Sequence, residues 1–95
     1  MQLTDFEMME TQTPKGVQAV LKFGDDYELS IVSNAVSYGG SQGLYEIMAI
    51  YKGEQKELPG ITNEGDTVKG WLTEKDVDTI IKKMHTITGE IPVQI

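Results

Sequence analysis

Two apolar periods meet in this chain, and their order limits what it can fold into. From Val17 to Phe23 apolar residues fall at every second position, through Val17, Ala19, Leu21 and Phe23. The pattern resumes with Tyr27, Leu29 and Ile31. A period of two belongs to strands with one buried face. From Val77 onward the spacing becomes three and four, through Val77, Ile80, Ile81 and Met84, and Ile87 extends the stripe. That spacing is one face of an α-helix. The helix comes last and must bury its stripe on the strands before it. The expected fold is α+β: an antiparallel meander of four to five strands, with one C-terminal helix packed on one face.

Turn chemistry divides the strands. Gly24-Asp25-Asp26 joins the two alternating runs into a β-hairpin. Leu44 to Tyr51 is apolar on both faces, interrupted only by Glu46, which predicts a central or doubly covered strand. Lys52-Gly53-Glu54 can turn it back into a weaker strand over Gln55–Leu58, and Pro59-Gly60 and Asn63–Gly65 are further turns. Thr67 to Leu72 reads as the last strand, with Gly70 marking a bulge or the close approach of another backbone.

The helix start is fully signalled. Thr73 is the N-cap, Asp76 closes a short capping box, and Leu72 and Val77 form a hydrophobic staple. Glu74, Asp76 and Asp78 near its start and Lys82 and Lys83 toward its end suit the helix dipole. Gly89 stops the helix, and Pro92 keeps the tail extended. Residues 17–95 read as one domain, and residues 1–16 as an N-terminal lead-in. The lead-in forms a short helix capped by Thr4 and Glu7 and ended by Pro14 and Gly16, or else it is a loose terminus.

Composition narrows the function. The chain has 95 residues, 39% of them hydrophobic, enough for a single modest core. It has no cysteine, so neither a disulfide nor a thiolate zinc site supports it. The acidic N-terminus has no apolar run of signal-peptide length, and no segment is long enough to span a bilayer, so the expected setting is soluble and cytoplasmic. Fifteen acids face eight lysines, with no arginine, for a net charge of −7. Phosphate recognition relies on cationic side chains, and arginine is its best tool. Direct binding of nucleic acid or of an anionic membrane is therefore not expected. A protein partner with a basic surface suits the charge, and the acidity also serves solubility. A homo-oligomer is compatible with all of this.

The residues offer little for catalysis. His85 is the sole histidine, and no strand–GxSxG–helix elbow presents a serine nucleophile. Near the helix end, His85 is placed to interact with the last carbonyls. Asp25 and Asp26 are turn formers, and Asp25–Glu28 lacks calcium-loop spacing. No catalytic residue, metal site or cofactor is expected. The candidate binding segment is SYGGSQGLYE, Ser37 to Glu46. Gly39, Gly40 and Gly43 can take positive φ and form an anion nest, yet the sequence is neither a Walker loop nor a dinucleotide fingerprint, and a strand follows it. The favoured reading is a turn into the central strand that displays Tyr38 and Tyr45 as interface aromatics. Trp71 is either a third anchor or a residue buried beneath the helix.

SYGGSQGLYE, a turn-rich stretch, and then DTVKGWLTEKDV leading into a helix together resemble a group of small uncharacterised proteins of tailed phages and prophages. The resemblance spans roughly Phe23 to Met84 and rests on the SYGG…GLYE…GWLT combination. It implies a phage or prophage origin, a host-cell cytoplasm and no assigned activity, and it carries over no site residue. Three functions follow as expectations. The first is a non-enzymatic accessory protein that binds and modulates a host or phage protein. The second is a small-molecule or nucleotide sequestering protein, with the glycine loop lining a pocket. The third is a structural component of the virion.

Overall fold

The computed structural model describes residues 1–95. Its strands are β1 (Met9–Gln12), β2 (Lys15–Phe23), β3 (Tyr27–Asn34), β4 (Tyr45–Tyr51), β5 (Glu54–Gln55), β6 (Val68–Leu72) and β7 (Val93–Gln94), and α1 (Glu74–Thr88) is its one α-helix. All pairings are antiparallel, and β1 to β5 run in meander order. β1 and β7 share one edge of β2 at opposite ends, while β5 and β6 share the outer edge of β4. The sheet is thus five strands wide, with β3 in the middle. This is the expected α+β meander, enlarged to seven strands by the short pieces at its edges.

The period-two residues decide which face the helix covers. Leu21 pairs with Leu29, Leu29 with Ala49, and Ile31 with Ile47, and all are buried on the α1 side. Val77, Ile80, Ile81 and Met84 of α1 complete that core, with Leu58, Ile61 and Leu72. Each such side chain contributes about 1.5–3 kcal/mol through burial. The capping box forms as read: the Thr73 Oγ1 accepts from the Asp76 N–H at 3.1 Å, and Asp76 Oδ2 accepts from the Thr73 N–H at 3.0 Å. Gly89 ends the helix at φ 71°, its N–H donating to the His85 carbonyl. His85 Nδ1 lies 2.8 Å from the carbonyl oxygen of Glu90, past the C-cap Gly89, and not from one of the last carbonyls of the helix as expected.

Three further expectations change. The N-terminal segment is not a helix from Thr4: Leu3–Asp5 form one 3-10 turn capped by Gln2 and Asp5, and Met9–Gln12 join the sheet. Leu3 enters the core and donates its N–H to Asp78 Oδ1 of α1 at 2.7 Å, so burial outweighs the Thr4 capping signal. The weak strand after Lys52 is only Glu54–Gln55, because Leu58 turns inward to the core. Ile87 leaves the stripe and is 51% exposed. β4 is interior to the sheet, as its double apolarity predicted, and no second layer covers its other face. That open face carries the row Val20–Ser30–Met48–Val68 across β2, β3, β4 and β6.

Candidate functional site

The SYGGSQGLYE loop is folded on itself. Asn34 Oδ1 accepts from the N–H groups of Val36 (3.0 Å) and Ser37 (2.8 Å), and the Ser37 Oγ accepts from the Asn34 N–H at 2.9 Å. Gly40–Gln42 then make a single 3-10 turn, and Gly39 and Gly43, at φ 87° and 75°, flank it. The N–H groups of Gly40, Gln42, Gly43 and Leu44 donate to the carbonyls of Ser37, Gly39, Gly40 and Gly39. An anion nest needs free, convergent N–H groups. Here the N–H groups of Gly40 and Gly43 are spent inside the loop, and Gly39 turns the chain at φ 87°. A Cβ at Gly40 would overlap the Asn34 backbone, which explains the glycine there by close approach.

The loop is seated against β6. Between Tyr45↔Leu72 and Ile47↔Lys69 the β4–β6 register slips by one residue, so Gly70 and Trp71 together oppose Glu46. This is the bulge that Gly70 signalled. The Trp71 N–H donates to the Tyr38 carbonyl at 3.1 Å, and the Tyr38 N–H donates to Glu46 Oε1 at 2.7 Å. Two dipeptides interlock at this point. A Cβ at Gly70 would overlap the Tyr38 Cβ, and a Cβ at Gly39 would come within 3.2 Å of Trp71 Cα and Cε3. Each aromatic is rooted against the glycine beside the other.

The rings themselves face outward. Tyr38 is 57% exposed and Trp71 58% exposed, with Val36 nearby in the chain at 76%. Burial of Trp71 beneath the helix is therefore corrected: the extra residue in the bulge turns its side chain away from the core, and Leu72 takes the inward position instead. Trp71 also holds φ 59°, a left-handed backbone that bulky residues rarely adopt. Tyr45 separates from the other candidates. It is half-buried, opposite Leu72, and packs against the core. Of the residues singled out from sequence, the structure brings Tyr38, Gly39 and Trp71 together, leaves Gly40 and Gly43 as loop formers, and places Tyr45 with the core.

Beside Trp71 runs a groove of about 390 Å³ between β6 and α1, lined by Lys69, Asp76, Thr79 and Lys83 among others. Sequence reasoning missed this groove, because Gly60 joins it from a loop nine residues before Lys69. Lys83 Nζ donates to the Gly60 carbonyl at 3.2 Å and fixes that wall. Asp76 is held below the usual aspartate range by its bond from the Thr73 backbone N–H, then by the Thr73 side chain, and further by the charges of Lys69 and Lys75. No helix is long and apolar enough to cross a membrane.

No protein-family model matches this chain, and neither does any curated protein or solved structure.

Proposed function

We propose that this chain is a non-enzymatic binding protein that engages another protein through Tyr38 and Trp71. One observation carries the reading: the only tryptophan is more than half exposed and is held in a left-handed backbone beside an equally exposed tyrosine. Backbone strain of this kind costs about 1–3 kcal/mol and clusters at functional sites. A residue serving only the fold gains nothing from presenting its ring to water at that cost. Exposed tyrosine and tryptophan on a rigid base are the usual energetic centres of protein interfaces. The interlocked glycines supply the rigid base, which limits the ordering cost of association.

Charge acts at longer range. A chain of net charge −7 draws a basic partner surface and speeds encounter, while the aromatic contact sets the residence time. The spent N–H groups of the glycine loop favour this reading over nucleotide sequestration. The SYGG…GLYE…GWLT resemblance supports a phage or prophage accessory role in the host cytoplasm, with the partner a host or phage protein.

The test is capture of the partner by tagged protein from infected and uninfected host lysates at low and high salt. The partner should be lost with Tyr38→Ala/Trp71→Ala and kept with Ile87→Ala, an exposed residue elsewhere. In the purified pair, each aromatic truncation should weaken binding by about 30-fold or more. A double variant that unfolds cooperatively yet still captures the partner at wild-type level would sink the reading.

A further inference from the structure

We propose that two copies of this chain pack face to face through the open side of the sheet, the side opposite α1. The core accounts for one face only. On the other, Val20, Val32, Met48, Ile50 and Val68 project from four adjacent strands and stay partly accessible. Val93 and Ile95 continue the same side along β2, at 66% and 68% exposure. An antiparallel sheet can leave one face in water when that face is polar. Here the aliphatic row crosses the middle of a face whose polar residues, Gln18, Lys22, Glu28, Glu46 and Gln55, lie around it, and accessible apolar patches mark interaction surfaces.

Charge selects the occupant. Of the fifteen acids, the strands direct only Glu28 and Glu46 to this face, and Glu46 already accepts the Tyr38 N–H. The strands place one lysine there, Lys22, directly opposite Glu28 in register. The face therefore carries a charge near −1 on a chain of −7, and its central row holds no charge at all. A basic partner would find nothing there to pair with. A second copy can meet this face while its acids stay outside the contact. The central polar group is already satisfied: Ser30, buried in the middle of the face, takes a bond from Gln18 Nε2 at 3.1 Å.

The area lies at the lower end of what a specific interface needs. Five strands about 4.8 Å apart, with β2 about 30 Å long, give a face of roughly 500–600 Å² before side-chain relief. That approaches the ~800 Å² per partner of a standard interface, with layers stacked ~10 Å apart. The pairing is isologous and closed, so it ends at two copies.

Sedimentation equilibrium of the full chain at submicromolar to submillimolar concentration tests the proposal. The expected result is a species of twice the 10.5 kDa chain mass. Met48→Lys, which forces a charge into the centre of the contact, should raise the dimer dissociation constant by about a hundredfold or more. Ile87→Ala, on the exposed side of α1 and so on the far side of the sheet, should leave the dimer intact. A second measurement stands if Met48→Lys fails to fold. The chain has no cysteine, so Met48→Cys and Thr86→Cys each place one thiol, the latter on the outer side of α1. Maleimide labelling of the Met48→Cys variant should slow as protein concentration rises, and labelling of the Thr86→Cys variant should not. A wild-type chain that stays at 10.5 kDa throughout overturns the proposal. So does a dimer that survives Met48→Lys or is lost with Ile87→Ala, because the copies then meet elsewhere.

Discussion

Thr73 and Trp71 stand two residues apart and are held by opposite means. At Thr73 the local rules agree. Its backbone is extended at φ −76°, its hydroxyl and its N–H both exchange bonds with Asp76, and the sequence alone names the motif. At Trp71 the local rules are broken. A bulky residue sits at φ 59°, with glycine available as its neighbour but not at the strained position. What holds it is tertiary: the slipped register, the Tyr38 carbonyl and the flat surface of Gly39. The helix start serves folding, and local chemistry suffices for it. The bulge costs folding something and leaves an indole in water, which is why the functional reading attaches to it.

The largest expected effect tests whether the interlock is real. Gly70→Val has to displace Tyr38 from its seat, an overpacking that costs about 1–3 kcal/mol and sometimes more. Denaturant unfolding should show this loss, with the Tyr38 loop as the first segment to gain amide exchange. A neutral result would mean that Tyr38 is not rooted on β6. Next comes Trp71→Gly, with the opposite sign. Glycine takes positive φ without penalty, so the strain is released and stability should rise by about 1 kcal/mol, less whatever the exposed indole contributes by packing. The same variant should lose the protein partner. A stability loss of about 2 kcal/mol or more would make Trp71 a structural residue and erase the contrast with Thr73.

How much of this was legible in sequence depends on the range of the cause. The β2–β3 hairpin and the α1 start follow from residues close together in the chain, and both were readable. Gly70 also carried a usable signal, since a glycine inside a strand announces a bulge or a close approach. Its consequence for Trp71 was not readable. One inserted residue reverses the side to which a side chain points, and nothing local says whether Trp71 or Leu72 takes the inward place. The pairing of Tyr38-Gly39 with Gly70-Trp71 joins residues 32 positions apart and has no periodic trace. The N-terminus misled for a related reason. Thr4 and Glu7 do resemble a cap, but the free edge of β2 and a core site for Leu3 offered the segment more. The open face was half legible: the double apolarity of Leu44 to Tyr51 was plain, but which strands line that face beside it depends on pairings between residues far apart in the chain.

The smallest effects belong to the capping box, and they sharpen the comparison from its other side. Thr73→Ala should cost about 1 kcal/mol, the usual value of an N-cap, and should leave Trp71 exposed and partner binding unchanged. Asp76 adds a dependence on pH. Its folded pKa lies below the ordinary value because the carboxylate accepts the Thr73 N–H, with Thr73's side chain and two lysine charges assisting. A group depressed in this way contributes its full stabilisation above its unfolded pKa and loses it as pH falls through the folded value. Wild type should therefore lose more stability than Asp76→Asn as pH falls from neutral through the acid range, and the two should converge once the carboxylate is protonated. The gap stays small, since Asp76 is exposed and water competes for its charge. Midpoints of denaturation at a series of pH values measure it. If the gap does not change with pH, the Asp76 charge is not what secures the Thr73 N–H. The helix start would then depend on packing from the staple, as the bulge before it depends on packing from Tyr38.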